Sequence, residues 1–391
     1  MSERETPLEN IRVLDLGIIT AGASTSALLA DLGADVMKVE AGSYLDLFRG
    51  WDGQQAGIDW WNRSRFFRFT NRNKRGIGIE LKDPRGRALF LQLVSQCDVV
   101  LENFRRGVME RLGIAFSDLV AANPRIILAS ITSQGERGPD RADATYGSTL
   151  EATSGLAALT GYSGGPPVIS GLALNYPDQI VAIFAAGAIV AAVLQRRRTN
   201  AAIQLDISQR ELGSFLLGEF FVGAQEKARA GNEDATAALQ ACVQTLENEW
   251  IAIRVEFSSV GALDRLLGLT EPGADLRERS LRAWAAVRRC DEALTELQAI
   301  ELRASKALDA TGLYDAALAG GRPVAYARDP TGDWTKGFPF QFRMRPMRIA
   351  RPAPNLGEHT EEILRELLGL DGATVADMAR EGITATRPRE R

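Results

Sequence analysis

Histidine is almost missing from this chain: His359 is the one copy in 391 residues. A His-rich metal centre, or any Ser–His or Cys–His machinery, would have to run through that single side chain. Cysteine is scarce too. Cys97, Cys242 and Cys290 are widely spaced and odd in number. That fits a reducing, cytoplasmic setting without a disulfide framework. Positive charge is not in excess, with 46 Lys and Arg against 50 Asp and Glu. A non-specific nucleic-acid binder needs a basic surface, so no nucleic-acid partner is expected. Apolar runs are short. The longest, Ile180 to Leu194, closes on Arg196-Arg197-Arg198. At about fifteen residues it falls below the roughly twenty that span a bilayer. It reads as a buried helix with arginines at its C-terminus, where the dipole favours cations, and no membrane partner is expected. The segment Met1 to Asn10 lacks the basic start and apolar stretch of a signal peptide.

What is present is an ordinary globular composition, long enough for two domains. The first half alternates strands and helices. Ile11 to Leu16 reads as a strand, Thr20 to Ser24 as a turn, Ser26 to Leu32 as a helix stopped by Gly33, and Asp35 to Glu40 as the next strand. This is a β-α-β unit, with its turn at the strand end where open α/β sheets bind ligands. The rhythm recurs with strands at Ile77 to Leu81, Asp98 to Leu101 and Arg125 to Ile131, and helices at Pro84 to Gln96 and within Asn103 to Leu112. From about Phe220 to Gly321 the texture is helix-rich, with one strand at Trp250 to Phe257. The tail is helical from Glu361 to Leu368. The expected division is a large α/β domain over 1–220 and 335–391 and a small domain over 221–334.

Some motifs mislead. Gly161-Tyr162-Ser163-Gly164-Gly165 has the spacing of a nucleophile elbow, but no strand precedes it and Pro166-Pro167 follow where a helix should begin. It reads as a surface turn. The turn Gly17 to Gly22 lacks the G-x-G-x-x-G spacing, so no nicotinamide cofactor is expected, and no GxxxxGK[ST] loop occurs. Glu358-His359-Thr360-Glu361 is not a zinc motif; His359 reads as a helix-start or packing residue, and no metal is expected.

A series of short blocks runs almost the length of the chain. It starts with Ile11 to Leu16, Ala21-Gly22 and Leu29 to Glu40. It continues through Asn71 to Arg75, Leu81 to Pro84, Glu102 to Arg105, Glu110 to Gly113 and Asn123 to Arg125. Pro166 to Val168, Tyr176 to Asp178, Asp206 to Gln209 and Leu356 to Thr360 complete it. In this order they resemble the class III CoA-transferases, the family of the formyl-CoA, carnitine and bile-acid CoA transferases. Between about 220 and 345 the match is poor.

The resemblance implies that an aspartate attacks the acyl-CoA thioester, passing through a mixed anhydride and an aspartyl-CoA thioester before CoA reaches a carboxylic acid acceptor. The matching residue is Asp178, 21 residues before Thr199, the same interval as between the family's aspartate and the threonine of its TGxGQ turn. Asp178 follows Pro177 at the start of the long apolar helix, where dipole and free N–H groups are expected to keep its carboxylate ionised. Without the resemblance, an aspartate at this position reads as an ordinary helix cap. CoA carries a pyrophosphate and a 3′-phosphate, which call for Arg, Lys and backbone donors. By resemblance, Lys82, Arg111 and the Arg75 neighbourhood contact phosphate, and Thr20-Ala21 and Asn103-Phe104-Arg105 line the adenosine and pantetheine path. Tyr146 matches an aromatic position that the family places near the nucleophile. The dense aromatics Trp51, Trp60, Trp61, Phe66, Phe67 and Phe69 read as core or dimer contacts, or as an apolar wall for the acyl group.

The family's fold implies a Rossmann-like open sheet built by both chain ends, a smaller inserted α+β domain, and two chains interlocked as a homodimer. Four departures stand out. The TGxGQ turn reads Thr199-Asn200-Ala201-Ala202-Ile203, Gly147 stands where the formyl-CoA transferases have an acid, the glycine-rich active-site loop has no counterpart, and Ala23 replaces a common proline. Glu151 is the expected substitute as a second carboxylate near Asp178. Two alternatives stay open: an acyl-CoA isomerase like α-methylacyl-CoA racemase, which uses a histidine and an aspartate as bases, and a non-catalytic CoA-binding member.

Overall fold

The computed structural model describes residues 6–51, 57–170, 176–222, 229–319, 326–338, 340–343 and 347–389. Two compact units emerge. The first takes 1–156, 169–222 and 324–391; the second takes 157–168 and 223–323. The segment 157–168 therefore leaves the large domain in which the sequence reading placed it.

In the first unit, six parallel strands form one sheet in the order β3-β2-β1-β4-β5-β6. They are β1 Arg12–Asp15, β2 Asp35–Glu40, β3 Arg75–Gly78, β4 Val99–Glu102, β5 Ile127–Thr132 and β6 Ile203–Ser208. In β1 to β5 the central residues are buried on both faces, whereas edge strand β6 alternates half-buried Ile203, Leu205 and Ile207 with exposed Gln204 and Asp206. Register is fixed between neighbours, with Val13 opposite both Val36 and Val99. Helix α1 (Ala21–Asp31) starts five residues before the position read from sequence, because Gly22, Ala23, Ser24 and Thr25 all pack inside it. Helices α2 (Pro84–Val94) and α3 (Phe116–Ala122) cover one core cluster with Leu14, Met37, Ile77 and Val100. The C-terminal end of the chain adds Ile363 and Leu364 to the same cluster.

The long helix α5 (Tyr176–Thr199) follows a shorter α4 (Gly147–Thr153). At 24 residues it exceeds the apolar run seen in sequence, and by length and composition it is able to cross a bilayer. Here Val181, Ala185, Ala186, Ile189 and Val193 bury in a core with Ala21, Leu29, Val99 and Ile131. Small Ala side chains let it approach α1 closely. Its end is fixed by charge: buried Arg196 pairs with Asp98 at 2.6 Å and donates to the carbonyls of Asp98 and Arg125. The turn that has lost both family glycines still uses the left-handed region, because Asn200 takes φ 55°. Asn tolerates that conformation better than other non-Gly residues.

The second unit corrects the sequence reading. It holds an antiparallel sheet in the order β7-β8-β9, made of Leu239–Gln244, Trp250–Val255 and Arg303–Ala307, not a single strand. Leu239, Ala241 and Val243 point into its core in strict alternation with exposed or half-buried residues. Its helices include Val260–Leu267, Ala274–Ala286 and Cys290–Ala299. The Gly161–Gly165 segment is a turn of this unit: Gly161 and Gly164 have positive φ, and Arg229 donates to the Gly165 carbonyl.

Candidate active site

The strand order reverses between β1 and β4, and open parallel sheets bind ligands outside that point. The chain leaves β1 through Leu16–Thr20 and leaves β4 through Asn103–Arg105. Asn103 clamps the two together. Its Oδ1 accepts the Ile18 N–H at 2.7 Å and its Nδ2 donates to the Ile18 carbonyl at 3.1 Å. Glycine makes this approach possible: a Cβ on Gly22 would lie 2.5 Å from Asn103 Oδ1 and 2.6 Å from Gly17 Cα. Thr20 and Ala21, at the start of α1, are both buried. Phe104 packs half-buried against the core and donates its N–H to Glu102 at 2.7 Å. Burial pushes the Glu102 carboxyl up to about 7, against the pull of the Ser130 and Phe104 hydrogen bonds.

The candidate cations separate into two kinds. Lys82, Arg105 and Arg111 are exposed and make no ion pair among the described residues. They remain available to an anion. Arg75 does not. It is buried, gripping Asp35 and reaching Glu362 at 3.0 Å and Glu366 at 2.7 Å. Its guanidinium joins β2, β3 and the C-terminal helix Thr360–Leu368, so the expectation that it contacts phosphate is replaced by a structural role. Lys38 and Lys74 are likewise fully buried. Lys74 donates to Asp15 at 2.9 Å and to the Ala23 carbonyl at 2.8 Å, and burial lowers its ammonium to about 8.

Asp178 lies in the first turn of α5, half-buried. Residues 171–175 just before it lie outside the described residues. Helix α6 (Gln209–Phe215) follows β6 and packs on α5, so Gln209 Nε2 donates to Asp178 Oδ1 at 2.5 Å. Burial raises the carboxyl to about 6, and the Gln209 hydrogen bond opposes the rise. Desolvation rather than the helix terminus therefore sets this group, opposite to the direction read from sequence. At neutral pH it is mostly ionised, and poorly hydrated. Glu151 on α4 is buried and accepts the Ser170 N–H at 2.7 Å and its hydroxyl. It holds the chain ahead of α5 and makes no hydrogen bond with Asp178. Tyr146, which caps α4, is 67% exposed and open to a ligand or a partner surface. Beside the Asp178–Gln209 contact, Tyr176, Pro177, Ile180, Leu212 and Leu216 line an apolar cavity of about 230 Å³. Of the aromatic cluster, Phe67 is core beneath Arg49, at 3.6 Å, whereas Trp51 and Phe66 are exposed.

Gln209, the hydrogen-bond partner of Asp178, was quoted from sequence without a task. The available signal was its place at the C-terminal end of a strand. His359 is fixed elsewhere, its Nδ1 accepting the Gly76 N–H at 3.2 Å and its own N–H donating to the Gly76 carbonyl at 2.8 Å. Among the described residues no group of three or more His, Cys, Asp or Glu is arranged to hold a metal ion.

A family description, CoA-transferase family III, matches residues 8–360. The chain belongs to CoA-transferase family III. As a member of that family it is an enzyme of CoA transfer, acting on acyl-CoA and carboxylates. It is 30% identical over 386 residues to the succinyl-CoA–D-citramalate CoA-transferase of Chloroflexus aurantiacus, covering 93% of this chain and 94% of that one. It is 29% identical over 423 residues to a formyl-CoA:oxalate CoA-transferase of Rhodopseudomonas palustris, covering 97% of each. Among solved structures, a CAIB/BAIF family protein from Brucella suis superimposes with a TM-score of 0.84 at 27% identity, over 93% of this CoA-transferase and 100% of that protein.

Proposed function

We propose that this enzyme transfers CoA between carboxylic acids through covalent intermediates on Asp178. The observation that carries the reading is a desolvated, mostly ionised carboxylate with one neutral amide partner, beside an apolar cavity. Such a carboxylate is a competent nucleophile. Asp178 attacks the thioester carbonyl and CoA leaves as thiolate, forming a mixed anhydride. The thiolate attacks the aspartyl carbonyl, releasing the donor acid and leaving aspartyl-CoA thioester. The acceptor carboxylate then displaces CoA to form a second anhydride. CoA attacks its acyl carbonyl, giving the new acyl-CoA and free Asp178. Gln209 holds the reacting oxygen while leaving the nucleophile uncompensated by a cation, which would blunt it.

Acyl-CoA would lie in the crevice between β1 and β4. Lys82, Arg105 and Arg111 take the phosphates, the Thr20-Ala21 backbone and the Asn103-Phe104 segment line the arm, and Tyr146 stands at the acyl end. Relatives named for succinyl and oxalate transfer make small dicarboxylic acids the first acceptors to test. The working unit is an interlocked homodimer in the cytoplasm, a setting that suits three free thiols.

The test is hydroxylamine trapping during turnover with succinyl-CoA and a panel of acids. Mass spectrometry should locate a hydroxamate on Asp178, and Asp178→Ala should abolish both the adduct and transfer. Transfer surviving in Asp178→Ala would end this mechanism.

A further inference from the structure

The turn after β1 contains a conformation that its residue resists. Ile19 has φ 59°, in the left-handed region. For a β-branched residue this is an outlier that persists only where the surroundings over-determine it. Those surroundings are buried charges. Asp46 Oδ1 accepts the Ile19 N–H at 3.1 Å and the Phe48 N–H at 3.0 Å. Asp46 Oδ2 pairs with Lys38 Nζ at 3.1 Å, and both side chains are 0% exposed. Lys38 Nζ also donates to the Gly17 carbonyl. Asp46 is itself held, its N–H donating to Glu40 Oε1 at 3.1 Å, while Glu40 pairs with buried Arg49 at 2.6 Å. Backbone groups of three successive turn residues are thus fixed by side chains from β2, from the segment after it, and from Asn103.

We propose that the buried Lys38–Asp46 pair is a positioning device for acyl-CoA binding: it holds Ile19 left-handed and so fixes the Gly17–Thr20 backbone at the ligand crevice. Lys38 and Asp46 are positioning residues and need not touch substrate. The chain turns at Ile19 directly into α1, whose first amides lack partners within the helix. Relaxation of Ile19 to negative φ would swing those amides and the Thr20 edge away from the β1–β4 crevice. A clamp of two opposite charges suits this task because each remains tied to the other, so neither can be drawn off by water or by the ligand phosphates. The inference rests on reading that crevice as the acyl-CoA site.

The experiment uses the full-length protein and measures Kd for CoA and for succinyl-CoA by calorimetry, KM and kcat for transfer, and Tm. Asp46→Ala should raise Kd and KM about tenfold, the scale of one such backbone strain released. Adding Ile19→Gly should bring Kd back to within about threefold of the wild type, because glycine takes positive φ freely. Tm should stay depressed in the double variant, since Lys38 still lacks its partner. That split separates positioning from mere support. If Asp46→Ala does not fold, Lys38→Met/Asp46→Leu removes both charges together, and the same loss and rescue by Ile19→Gly are expected. Wild-type binding with an unchanged Kd in the folded Asp46 variant, or no rescue by Ile19→Gly, overturns the inference alone. Failure of the wild type to bind any CoA compound overturns the reading of the crevice and the inference with it.

Discussion

Under the proposed mechanism, the buried position of Asp178 in the first turn of α5 sets both its stability and its reactivity. Its carboxyl is raised from 3.8 to about 6 by burial, so the folded state holds a proton that the unfolded state gives up. Stability therefore falls as pH rises between those values, and the ionised carboxylate is a net cost at pH 7. Asp178→Asn keeps the shape and removes the charge. It should raise unfolding free energy at pH 7 by on the order of 2 kcal/mol in a denaturant titration, while transfer is lost. The gain should vanish below about pH 4, where the wild-type carboxyl is protonated in both states. Transfer by the wild type should decline on the acid side of about pH 6 as the nucleophile takes up its proton. Gln209 opposes the burial effect by donating to the anion. Gln209→Ala should move the acid limb of the rate profile to higher pH and lower kcat about tenfold. A slower enzyme with an unmoved limb would show that Gln209 does not act on Asp178.

Between elements, charge has two uses that composition cannot separate. Arg75 ties β3 to β2 and to the C-terminal helix through Asp35, Glu362 and Glu366, with its side chain only 5% exposed. Breaking such a pair leaves buried charge uncompensated. Arg75→Ala should cost about 3 kcal/mol of stability. Arg111→Ala and Lys82→Ala, at exposed positions free of ion pairs among the described residues, should shift stability by less than about 0.5 kcal/mol. They should raise KM for acyl-CoA several-fold instead, more so at low salt. Thermal melts set beside KM values check this contrast. If Arg75→Ala melts like the wild type and raises KM instead, its proper place is with the phosphates.

On the molecular scale, the first unit leaves large apolar side chains on its surface. Ile183, Phe184 and Leu194 on α5 are 53%, 45% and 54% exposed, and Phe215 and Phe221 nearby in sequence are 73% and 50% exposed. Large apolar side chains left exposed suit a partner surface, and a second copy is the occupant to test. Sedimentation should find a dimer at micromolar concentration. Phe184→Glu or Phe215→Glu should shift it toward monomer with loss of transfer, since a carboxylate would have to be buried in the interface. A wild-type monomer with full activity would remove the dimer from the mechanism.

The alternation of strands and helices in the first half is legible in the residues, because strands buried on both faces must be apolar and their connections must be helical. So are the family and the place of Asp178, which lie in ordered local blocks. A single count also excluded His-rich chemistry, and His359 turned out to be engaged with Gly76. The β7-β8-β9 sheet was under-read because its strands are half-exposed and carry polar residues that also suit helices. The use of each charge and each turn emerges only once the chain is folded. Arg75 and Arg111 look alike in sequence, and burial alone makes one a strut and the other an available cation. Asn200 takes over the conformation of an absent glycine, Gln209 reaches Asp178 across 31 positions, and Lys38 with Asp46 fixes a turn near residue 19. Each of these depends on hydrogen bonds between distant segments and on exclusion of water, and neither is encoded in local spacing.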